Sequence, residues 1–184
     1  MNSSEVGTSS HADEIYTNGD LFGTVKNLGK EKRNLNMGAS YGFAQSDRTT
    51  RELSELAMAE SKTVKDLSYL ADVQNLNLSG TLEYSEPLAE KWAFQAGILS
   101  MYSAKENTKD AWNADGTFND YYSSVSDNYY LREKGSLEVQ FSNDTSTVQF
   151  GVAVEAVNNE VRAKSLGVET LTGKDELLVN WSPS

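Results

Sequence analysis

Residues 76–84 read Leu-Asn-Leu-Ser-Gly-Thr-Leu-Glu-Tyr, residues 85–91 read Ser-Glu-Pro-Leu-Ala-Glu-Lys, and residues 92–98 read Trp-Ala-Phe-Gln-Ala-Gly-Ile. In the first and third stretches an apolar side chain falls on almost every second position. That period lines one face of a β-strand. The middle stretch holds Pro87, Glu86, Glu90 and Lys91, so the three together read as strand, short turn, strand. The shared face is aliphatic in its middle and aromatic at its ends. Such a face suits a sheet with lipid on one side and water on the other.

The alternation recurs along the chain. Leu35, Met37, Ala39, Tyr41 and Phe43 share a face, with Asn36, Gly38, Ser40 and Gly42 opposite. A strand from 91 to about 104 puts Trp92, Phe94, Ala96, Ile98 and Tyr102 together. Another, from 128 to 141, aligns Tyr129, Leu131, Gly135, Leu137, Val139 and Phe141, interrupted by Glu133. A sixth begins near 147 with Val148, Phe150, Val152 and Val154. Weaker patterns give a first strand over 20–27 and a seventh over 176–182, and the opening stretch belongs to a third strand over 70–84. The spacing predicts an all-β, antiparallel up-and-down meander of about seven long strands, part of a transmembrane β-barrel, because strands of about ten residues suffice for a tilted crossing.

The connections alternate. Those at 28–33, 85–91 and 142–146 read as short, and those at 47–66, 105–125 and 163–174 as long. Thr49-Thr-Arg-Glu52 has capping-box spacing, with Leu53, Leu56 and Ala57 at helical intervals, so 47–66 reads as a short helix or a polar coil. Asp115-Gly116 reads as a hairpin tip. Aromatics gather in two bands: Tyr84, Trp92 and Phe141 beside the short turns, and Tyr41, Phe43, Tyr102, Tyr129 and Tyr130 beside the long ones. Residues 1–18 read as a disordered polar leader, which leaves 19–184 as a partial barrel domain.

Composition sets further bounds. The chain has 184 residues, a formal net charge of −11 and no Cys. No apolar run is long enough for a membrane helix. A membrane barrel shows lipid only half of each strand, so a polar average is compatible with one. The acidic balance argues against nucleic acid as a partner. The first ten residues carry neither a basic nor an apolar leader segment, so any secretion leader is expected upstream of residue 1.

Residues 84–92, Tyr-Ser-Glu-Pro-Leu-Ala-Glu-Lys-Trp, resemble a periplasmic turn of the outer-membrane β-barrel family of Bacteroidetes, a branch of the TonB-dependent receptors. Residues 109–120 resemble an Asp/Asn-rich extracellular loop of that family, and 176–181 resemble a strand opening a further repeat. The resemblance spans about residues 15–184. It implies the cell outer membrane, contact with outer-membrane lipid, and packing against a plug domain and the remainder of a barrel. It also implies contact with a surface lipoprotein and TonB through parts not in this sequence. The family's N-terminal parts have no counterpart here, so transport activity is not implied for these residues alone. The alternative architecture is a soluble β-barrel or sandwich for binding or adhesion.

Little in the chain points to catalysis, and it reads as no enzyme. His11 is the one histidine and sits in the polar leader, without the partners at strand or loop positions that a His-based triad or zinc site would need. Gly38 and Gly42 read as small inward residues. Asn113, Asp115 and Gly116 recur in calcium loops, but Ala111 and Tyr122 stand where further ligands belong. Glu83 and Glu138 share the polar face as a carboxylate pair, better suited to lining a lumen than to glycoside hydrolysis. No catalytic, cofactor or metal residues are assigned.

Overall fold

A computed structural model describes residues 3–58 and 61–183. Seven strands make one sheet: β1 (Ser3–Lys26), β2 (Asn34–Met58), β3 (Ser61–Ala89), β4 (Trp92–Asn113), β5 (Ser124–Ser142), β6 (Thr147–Ser165) and β7 (Val168–Pro183). Each pairs antiparallel with its sequence neighbours, in the order β1 to β7. Turns after β1, β3 and β5 gather at one end, here the lower end. Those after β2, β4 and β6 gather at the upper end.

Four segments differ from the sequence reading, all toward more strand. Residues 3–18 belong to β1 rather than to a disordered leader, with Ser3 opposite Ala57 and Asn18 opposite Gly42. A polar segment gains order when a neighbouring strand offers a continuous ladder for its backbone. Residues 47–58 and 61–66 are strand, not helix or coil; 59 and 60 lie outside the described residues. The capping-box Glu52 instead accepts a hydrogen bond across the sheet from Lys65 (3.0 Å), and Arg51 holds Asp66 at 2.8 Å. Cross-strand pairs have used the side chains that suggested a helix. Residues 163–174 are two strands joined at Leu166-Gly167, both with positive φ (52° and 73°), as a two-residue hairpin turn requires. Finally, β4 and β5 shorten the 105–125 connection to residues 114–123. There Gly116, at φ 81°, makes the expected tip.

At the lower end the turns are residues 27–33, 90–91 and 143–146. A bulge between Pro87 and Ala89 bends β3 into its turn. Glu86 fastens this end. It accepts Arg33 Nε at 2.6 Å and Arg33 Nη2 at 3.0 Å, with Lys30 Nζ at 3.3 Å and the Tyr84 hydroxyl as further donors.

At the upper end, Leu67, Tyr69 and Ala111 are the buried apolar residues among those described. They lie where residues 114–123 fold back on β4. Trp112 forms a bridge to Phe118, and Asn119 donates to the Ala111 carbonyl at 2.8 Å. Lys109 Nζ sits 3.9 Å above the Tyr69 ring, whose hydroxyl donates to Glu52 at 3.2 Å. Elsewhere the chain is a single layer, covered on neither face.

Candidate membrane and lumen interface

Paired positions in an antiparallel ladder share a face, so the register sorts every side chain. One face carries Leu35–Phe43 on β2, Leu76–Tyr84 on β3, Trp92–Ala104 on β4, Tyr129–Phe141 on β5 and Val148–Ala156 on β6, each by alternate residues. Val179 and Trp181 continue it on β7. No helix or second sheet covers this face among the described residues. Ile98 is 60% exposed, Leu137 52% and Phe150 56%. Apolar surface this extensive exceeds the few hundred Å² that soluble monomers usually leave bare.

The belt does not run straight across the hydrogen-bond ladder. Through the pairs Phe43–Leu76, Leu76–Ala104, Ala104–Tyr129 and Tyr129–Glu160, the upper margin at Phe43 on β2 is level with Glu160 on β6. The belt on β6 ends four residues lower, at Ala156. Its lower margin slips by the same amount, from Leu35 to Val148. Between β2 and β6 the belt is thus displaced by four residues over four strand-to-strand steps, while on β4 and β5 it is thirteen residues long and covers both levels. With a rise of about 3.3 Å per residue and strands about 4.8 Å apart, the belts of β2 and β6 are level only if the strands tilt by about 35°. Tilted that far, the nine belt residues of β2, β3 and β6 span a height of about 24 Å, and the thirteen of β4 and β5 about 35 Å. Membrane barrels combine tilts of about 35–45° with an apolar band about 25 Å tall. The two values come from different observations, the slip and the length of the belt.

Glu133 interrupts the belt on β5, opposite Ser100 and four residues below Tyr129. Trp92 against Phe141, at 4.9 Å between centroids, marks the lower margin, and Phe150 packs against Trp181, which stands opposite Val152 within the belt, at 6.2 Å. Tyr41, Phe43, Tyr102 and Tyr129 mark the upper margin. Tyr130 is a correction to the upper band: it pairs with Ser103 and Asn159 and so lies on the opposite face, one residue out of phase with Tyr129.

That opposite face is polar and concave. It encloses a trough of about 600 Å³ near the lower end, to which all seven strands contribute, among them Lys26, Asn36, Glu83, Gln95, Lys134, Gly151 and Asn180. Glycines keep it clear: a Cβ on Gly97 would lie 2.8 Å from Ser136 Oγ, and one on Gly38 2.8 Å from Thr81 Oγ1. Above the trough Arg132 pairs with Glu155 by two bonds of 2.9 Å.

The candidate chemistry of the sequence is dispersed. His11 lies on β1 beside Asp13 at 3.5 Å, both exposed. Gly38 and Gly42 are on the concave face as read. Asp115 Oδ1 is taken by the Thr117 amide (2.9 Å) and hydroxyl (2.6 Å), which hold its carboxyl below the usual range. Among the described residues no three His, Asp or Glu side chains are grouped to hold a metal. Glu83 and Glu138 stand on β3 and β5 with β4 between them. Both line the trough, their backbones two strand spacings, about 10 Å, apart.

The belt ends far below the top of the sheet. Residues 61–75 extend β3 some 50 Å past Leu76, at the usual rise per residue. Segments 3–18, 44–58, 61–75, 105–128 and 157–176 make up this upper part among the described residues. They hold 17 of the chain's 27 acidic and 9 of its 16 basic residues, hence −8 of the net −11.

No protein-family description and no curated protein matches the sequence. Among solved structures, the ferric yersiniabactin uptake receptor FyuA from Yersinia pestis is similar at 9% identity with a TM-score of 0.34. The alignment covers 98% of this chain and 34% of that receptor, so the chain spans about a third of the receptor's length.

Proposed function

We propose that this chain is a wall segment of a transmembrane β-barrel in an outer membrane, serving a nutrient receptor of the TonB-dependent type rather than catalysis. The level belt carries the first half of the reading. One bare apolar face, nine residues tall on β2, β3 and β6 and displaced by four residues between β2 and β6, is the arrangement that lets tilted strands share one lipid layer. The receptor half rests on the resemblance of residues 84–92, 109–120 and 176–181 to that family. On this reading the lower turns are periplasmic, the long upper sheet stands outside the cell, and the concave polar face lines the lumen and packs on a plug. A surface lipoprotein and TonB would engage other parts of the receptor.

The three tryptophans test the membrane placement. Trp92 lies at the lower belt margin and Trp181 within the belt opposite Val152, while Trp112 lies in the upper sheet. Three variants, each keeping one Trp and carrying Phe at the other two positions, are reconstituted in vesicles of brominated phospholipid. Trp92 and Trp181 should lose most of their fluorescence and Trp112 little. Equal emission from all three, or a chain that stays monomeric in buffer without detergent, would overturn the reading.

A further inference from the structure

The two edges of the sheet carry an inference that rests on the barrel reading. β1 is paired only through β2, and β7 only through β6. Each edge therefore offers a row of unsatisfied backbone donors and acceptors, 24 residues long on β1 and 16 on β7. Natural edges that face water are blunted by proline, bulges or short length. Neither edge has such protection. β1 contains no proline and pairs without a bulge, and the proline of β7 is its last residue. Neighbouring side chains on opposite faces are both bare there: Leu21 at 74% and Phe22 at 79% on β1, Leu177 at 71% and Leu178 at 44% on β7.

Strand direction decides what can complete them. Odd-numbered strands run from the upper end to the lower one, so β1 and β7 run the same way. A second copy around the same lumen, with its acidic sheet on the same side, is related by rotation about the membrane normal. Its β1 must then meet β7 of the first copy, and that seam is parallel. Bacterial membrane barrels are built from antiparallel neighbours. We infer that the edges of β1 and β7 are completed by an odd number of antiparallel strands of different sequence, the first and last running from the lower end to the upper. A second copy of these 184 residues is not the partner.

Hydrogen exchange read by mass spectrometry, together with native mass in detergent, tests this. In the 184-residue chain, β3–β5 amides should exchange slowly, and the outward amides of β1 and β7 quickly at every oligomer mass. A discrete dimer, or a monomer, with both edges protected would overturn the inference. A second arm extends the chain after Pro183 through an Asn-Gly turn. One added strand copying residues 34–58 makes the edges antiparallel to each other and should protect β1 and β7 in a monomer. Two added strands, copying 34–58 and 61–89, should leave β1 exchanging quickly. Equal protection of β1 by both extensions would overturn the parity argument. A failure of the barrel reading itself would show separately, as unquenched Trp92 and Trp181.

Discussion

At the residue scale, the tightest polar cluster is Glu86 with Arg33, Lys30 and Tyr84, just below the belt. Donation from Arg33, then from Tyr84 and Lys30, lowers the Glu86 carboxyl to about 2. A carboxyl lowered on folding stabilises above its unfolded value, and that contribution is lost as pH falls toward the folded value. Glu86→Gln should therefore lower the unfolding midpoint in detergent at pH 7. The gap to the native chain should close between about pH 4.5 and pH 2, the window set by the ordinary and lowered values. A gap that persists at pH 2 would mean the glutamine costs stability by packing. A second residue works the other way. Asp13, Asp47 and Asp72 stand directly opposite one another on β1, β2 and β3. Like charges so placed destabilise a sheet by roughly 0.2–1 kcal/mol per pair. Asp47→Asn should raise the denaturant midpoint, more in 10 mM salt than in 500 mM, because salt screens exposed charges.

At the element scale, the lower half of each strand was legible in sequence and the upper half was not. Between Leu35 and Phe43, or Leu76 and Tyr84, the barrel reading puts lipid on one face and water on the other, which imposes a strict alternation, and a period of two is easily read. Above the belt both faces meet water, and the alternation relaxes. Residues 47–66 then resembled a capped helix, residues 1–18 a leader and residues 163–174 a loop. Their strands are specified by long-range pairs such as Arg51–Asp66 and Glu52–Lys65, which no local pattern announces. The slip of the belt was equally hidden, since it exists only once the register is known. It yields a depth-dependent prediction. Ile98 lies near mid-belt, so Ile98→Arg should cost about 2–4 kcal/mol of folding free energy in lipid vesicles. Glu160→Arg, on the same face of β6 but four residues above Ala156, should cost about 0–1 kcal/mol. Equal penalties at the two positions would mean that the belt does not sit at this depth.

At the scale of the whole molecule, charge and turn position agree on sidedness. The described upper sheet holds most of the net negative charge, while the lower turns and the belt are close to neutral. Membrane barrels keep short turns on the periplasmic side. The pairing shows that the connection expected over 163–174 is a tight hairpin and that strand covers the described residues of 47–66, so the upper rim is mostly sheet, with residues 114–123 its longest described connection. The orientation survives that change, because it depends on which turns share an end and not on their length. An epitope inserted after Gly116, or between Leu166 and Gly167, should thus be labelled by antibody on intact cells that display the protein. An epitope between Glu90 and Lys91 should be silent until the outer membrane is opened, and then label. Exposed hairpin tips tolerate such insertions well. The reverse pattern would place the acidic sheet in the periplasm. Labelling at Gly116 but not at Leu166 would instead show that β6 and β7 are covered from outside, the result expected if a surface partner sits on that side of the rim.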